Sequence, residues 1–179
     1  LLLVFGGVYL FQQLATLLGY GPGWFSLAAP ADRPWTLITS VYAHASLTHL
    51  GVNALALAIV GFPLERFATR VRFHAFVLAT GVLAGLAEIT VASLLGPTGA
   101  VMGASGAILG LYGYALAGNP VSGGLLTILN PGRTMRLVLL AGAAVLVTIL
   151  TAGTGIAVVA HATGFVLGLL AGRKRVLNG

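Results

Sequence analysis

The chain has 179 residues, of which 58% are hydrophobic and only 7% charged, and its mean hydropathy is +1.03. A soluble domain carries charge on roughly a quarter of its residues, so this composition excludes one and indicates a polytopic membrane protein. The net charge of +6 does not point to nucleic acid, because eight of the nine basic residues sit in three short clusters beside apolar runs. Cysteine is absent, which excludes disulfides and thiolate chemistry.

The first apolar run, 1–19, starts without a Met and reads as a trimmed N-terminus. GYGPGWFSLAAPADRPW follows, a long connection rich in Gly, Pro and aromatics. Trp24, Phe25 and Trp35 suit the headgroup level of a bilayer, and a functional loop is the competing reading. The second run, 43–62, contains HASLTHLGVN. His49 and Asn53 are four apart and share a helical face. His44 is five before His49, about 140° round the helix, and belongs to a different surface.

The third run spans 72–93, with Glu88 towards its outer end, and the fourth spans 103–118. The fifth and sixth are 134–152 and 156–172. The expectation is therefore an all-α, six-helix transmembrane bundle forming a single domain over 1–179. The basic clusters Arg66, Arg70 and Arg72; Arg133 and Arg136; and Arg173, Lys174 and Arg175 then fall on one side. Loops 1, 3 and 5 hold only Arg33. Positive residues mark the cytoplasmic side, so both termini are expected there, in the plasma (inner) membrane of a prokaryote.

Small residues recur at helical spacing along the fourth run as Gly106, Gly110, Gly113 and Ala117, and along the sixth as Gly164, Gly168 and Gly172. Such stripes let backbones approach closely in lipid, making these two runs neighbours. His161 continues the second stripe, so its imidazole comes near the outer end of the fourth run, where Ser105 lies. A serine hydroxyl becomes a nucleophile when a base accepts its proton, and a neutral imidazole is the usual base. No acid is well placed as a third member, so the pair would be a Ser–His dyad. The Asn53 amide, a His49 N–H and backbone N–H groups at the start of the fourth run are candidate donors to the oxyanion.

Taken alone, Ser105 among glycines is an ordinary packing residue, and GASGA is not the G-x-S-x-G elbow of soluble hydrolases. The histidine spacing is poor for a metal site, which usually takes two ligands at i and i+4, and neither a metal nor a haem is expected. No cofactor is implied.

Three motifs in this order resemble the rhomboid family of intramembrane serine proteases: G-x-S-G at Gly103–Gly106, A-H-x-x-G-x-x-x-G at Ala160–Gly168, and H-x-x-x-x-H-x-x-x-N at His44–Asn53. The stretch LER at Leu64–Arg66 also looks like the family's. The resemblance implies Ser105 as nucleophile and His161 as general base. It makes His49, Asn53 and the Ser105 amide the oxyanion donors, with Gly103, Gly106 and His44 supporting the site and Gly110, Gly164 and Gly168 packing the helices. Substrates would be single-span membrane proteins cut near the outer end of their helix, in a cavity open to the outer face. Two positions depart from the family: Thr36, not Arg, follows Trp35, and Leu109 replaces an aromatic four residues after Ser105. The alternatives are a catalytically impaired relative that binds membrane clients and a transporter, which would place charges at mid-bilayer.

Overall fold

The computed structural model describes residues 1–29, 31–96, 99–117 and 157–178, with isolated positions between 132 and 149. The expected fourth connection and most of the fifth run, 134–152, lie outside the described residues, as do Arg133 and Arg136. Helices α1 (Leu2–Leu17), α2 (Thr36–Tyr42), α3 (Leu47–Glu65), α4 (Arg70–Leu95), α5 (Ser105–Leu116) and α6 (Val158–Arg173) form the described fold, with one 3-10 turn at Pro22–Trp24. Among the described residues the fold is mostly helical, and α3 and α4 are each long and apolar enough to cross a membrane. At 1.5 Å per residue, the 26 residues of α4 extend about 39 Å.

Helix α5 is the axis of the bundle. Every residue from Ser105 to Ala115 is buried, which explains why its sequence is apolar all round rather than on one stripe. Its most extensive neighbour is α6, followed by α4 and α3. The two glycine stripes meet backbone to backbone, as their spacing predicts. A Cβ at Gly164 would lie 2.0 Å from the Gly106 carbonyl oxygen, and one at Gly168 would lie 1.9 Å from that of Gly110. Side chains are excluded there, so glycine sets the distance between α5 and α6. The outer surface carries Leu55, Ile59 and Phe62 of α3, Leu83 and Leu94 of α4, and Val166 and Leu170 of α6, all exposed. Apolar residues on the outside suit hydrocarbon as solvent, with backbone groups satisfied inside helices.

Three details differ from the sequence reading. The second helix begins at Leu47 rather than residue 43: Ser46 caps it, its hydroxyl accepting the His49 N–H at 3.1 Å. His44 therefore lies in an extended connector before the helix, and helical phase does not apply to it. Residues 36–42 form a helix with no sequence signal, since TLITSVY is rich in β-branched residues that favour strands. Burial of Thr36, Ser40 and Val41 holds it. Finally, Phe25 is not at an interface. It is buried and meets Phe11 edge-on with ring centroids 5.9 Å apart.

Candidate active site

Ser105 is the first residue of α5, following Ala104 at the cap. The first N–H groups of a helix have no partner within it, and they carry the positive end of the helix dipole. The approach to Ser105 is pinned from loop 1 and α2. Val101 exchanges both backbone hydrogen bonds with Leu27, at 2.8 and 2.9 Å, and the Gly103 N–H donates to the Ser40 carbonyl at 2.8 Å. Gly103 itself has φ +124°, which disfavours any side chain. A Cβ there would also stand 2.6 Å from Cε1 and 2.8 Å from Nε2 of His49. That glycine is thus required twice over, by backbone shape and by the imidazole lying against it.

His161 sits in the first turn of α6. Its Nε2 lies 2.7 Å from the Ser105 Oγ, with both side chains buried. The close α5–α6 contact delivers this pairing, because Gly106 and Gly164 each lie within one turn of the paired residues. The Nδ1 of His161 has no hydrogen-bond partner among the described residues. When Nε2 accepts the hydroxyl proton, Nδ1 is the protonated nitrogen, and nothing orients it as a carboxylate would. Glu88 comes close in the fold but serves a different group: its carboxylate accepts the Ala160 backbone N–H at 2.8 Å. That bond ties α4 to the start of α6, next to His161 in the chain.

Ser105 and His161 line a cavity of about 580 Å³ whose walls also include His49, Gly103, Glu88 and Met102. Exposed Ser46, Thr48, Gly99 and Ala100 form its mouth. Small residues of α4, Gly81, Ala84 and Gly85, form one side. The space accommodates a peptide segment and water beside the hydroxyl.

His49 and His44 are neighbours, with ring centroids 5.3 Å apart, contrary to the separate surfaces expected of one helix. The extended connector brings His44 back over α3, where its ring is buried between His49 and Phe5 of α1, the latter at 5.0 Å. Asn53 is fully buried and does not line the cavity. Its Nδ2 donates to the His49 carbonyl at 2.9 Å, leaving one N–H, and its Oδ1 has no partner among the described residues. Leu109 belongs to the apolar core. Tyr112 and Tyr114 bond elsewhere, to the Ala56 carbonyl at 3.3 Å and to Asn178 at 3.1 Å.

Loop 1 is a folded brace. Trp24 and Trp35 stack at 5.6 Å, and the Trp35 Nε1–H donates to the Trp24 carbonyl at 3.0 Å. Arg33 donates to the Gly23 carbonyl at 2.6 Å and lies over the Trp24 ring. An arginine thus ties this loop together although Thr36 occupies the position after Trp35.

A helical membrane bundle that buries a serine hydroxyl against an imidazole, beneath a cavity, defines a recognisable class of integral membrane protein. The Rhomboid domain model matches residues 31–177, and the chain belongs to the rhomboid family. It is similar to human (Homo sapiens) Rhomboid-related protein 3, being 37% identical over 65 residues, which cover 35% of this chain and 15% of that protein.

Proposed function

We propose that the chain is an intramembrane serine endopeptidase acting through Ser105 and His161. The observation that carries this reading is the 2.7 Å Oγ–Nε2 contact at the floor of a cavity. His161 takes the hydroxyl proton as Oγ attacks the scissile carbonyl carbon. The negative oxygen that develops is met by the Ser105 N–H and the His49 imidazole N–H, with Asn53 behind them holding the His49 carbonyl. Collapse of this intermediate breaks the C–N bond, and His161 passes its proton to the leaving amine. Water then attacks the acyl ester with His161 again as base, releasing the new carboxyl terminus and restoring Ser105.

In this reading the chain crosses the membrane six times, with both termini in the cytoplasm and the cavity open to the outer face, which the basic clusters support. Substrates are then single-span membrane proteins cut near the outer end of the helix. A catalytically impaired rhomboid that binds such clients is the second reading, favoured by the His161 Nδ1, which has no partner among the described residues. In liposomes, cleavage of a synthetic single-span peptide with small residues at its outer end separates the two. Cleavage by wild type that is absent in Ser105→Ala supports the protease. Binding without cleavage by either supports the client binder.

A further inference from the structure

The connector between α2 and α3, residues 43–46, leads into the first turn of α3, where the oxyanion donor His49 lies, yet no regular structure holds it. Ala43 and Ser46 are both extended, with ψ 151° and 165°. What fixes it comes from α1. Gln12 is buried while its neighbour Gln13 is exposed, and its amide pairs with both polar backbone atoms of His44. Its Oε1 accepts the His44 N–H at 3.0 Å, and its Nε2 donates to the His44 carbonyl at 3.3 Å. Phe5, two turns earlier on the same buried face of α1, packs on the His44 ring. A primary amide is the side chain that offers one acceptor and one donor at this spacing. A buried polar residue in a membrane helix needs such a partner.

The next residue along transmits the effect. The Ala45 N–H donates to Nδ1 of His49 at 3.4 Å. A ring nitrogen that accepts a proton bond carries no hydrogen, so Nε2 of His49 carries it. Nε2 is also the nitrogen that faces Gly103, two residues before Ser105. The orientation of one main-chain segment therefore decides whether His49 presents a donor or an acceptor to the place where the oxyanion forms.

We propose that Gln12 is a positioning residue for His49: by clamping the His44 backbone it holds Ala45 against Nδ1 and fixes the Nε2–H form of the imidazole. The proposal rests on the protease reading for its consequence in turnover, but not for its effect on the ring.

Nitrogen-15 NMR of histidine-labelled protein in detergent reads that ring directly, with His49 assigned from its loss in His49→Asn. Wild type is expected to show His49 as the Nε2–H tautomer. Gln12→Met, of similar length but without hydrogen-bonding groups, is expected to lose that preference and populate Nδ1–H. In Gln12→Glu a protonated carboxyl offers the same acceptor and donor, so at about pH 5 it is expected to restore the wild-type signal. On the synthetic single-span peptide, Gln12→Met is expected to lower kcat about 10-fold or more with KM within about twofold, because only transition-state stabilisation is touched. A folded Gln12→Met with the wild-type His49 tautomer overturns the proposal. Should Gln12→Met not fold, Gln12→Asn, whose shorter amide cannot reach both atoms, is expected to show the same loss, and an unchanged tautomer there overturns it equally. Failure of the protease reading would instead appear as absent turnover in wild type with the tautomer shift intact.

Discussion

Gly164→Ala tests whether the α5–α6 contact is what makes the serine–histidine pair possible. The added Cβ would lie 2.0 Å from the Gly106 carbonyl oxygen, where ordinary contact begins at 3.4 Å. The obstacle is backbone, so no rotamer change relieves it. Helix α6 must move away by about 1.4 Å, or rotate by an equivalent amount. His161 is three residues earlier on the same face and moves with it. A contact of 2.7 Å opens to about 4 Å, beyond hydrogen-bond reach. Overpacking of this kind costs roughly 1–3 kcal/mol of stability. Loss of a positioned general base costs about 10²–10⁴ in rate. The assay pairs an unfolding titration in detergent with cleavage of the synthetic peptide per folded molecule. Gly51→Ala on α3 is the control, because nothing lies within 4 Å of its Cβ, and it is expected to match wild type in turnover and to be no less stable. Turnover of folded Gly164→Ala within about twofold of wild type would refute the reasoning.

Two further outcomes follow from the same geometry. Glu88→Gln keeps an acceptor for the Ala160 N–H but removes the negative charge beside the start of α6, and is expected to cost about 0.5–1 kcal/mol in the same unfolding titration. Asn53→Ala removes the amide that holds the His49 carbonyl and is expected to lower kcat about 10- to 100-fold by misplacing His49; unchanged kcat would remove Asn53 from the site.

The close approach of α5 and α6 was legible because only small residues at i and i+4 permit it, and the sequence carries two such stripes. His161 followed from its place on the second stripe, and Ser105 from its position at the outer end of the fourth run. His44 was misplaced because its relation to His49 depends on where α3 starts, and Ser46 is an effective cap that reads equally as one more polar residue. The helix at 36–42 left no trace, since tertiary burial overrides the strand preference of its residues. Gln12 escaped notice because two adjacent glutamines near a helix end look interfacial. Its buried setting depends on a connector 32 residues away, which no local pattern reports. Glu88 was noted as an acid unsuited to orient the imidazole. Its bond to the Ala160 backbone depends on the packing of α4 against α6.

The central claim is that Ser105 is a nucleophile activated by His161. Treating detergent-solubilised protein with a fluorophosphonate probe and mapping the adduct by mass spectrometry tests it most directly. Modification of wild type at Ser105, with none in Ser105→Ala and little in His161→Ala, is the predicted result. Equal modification of all three proteins, or none in a wild type that is folded, would contradict it.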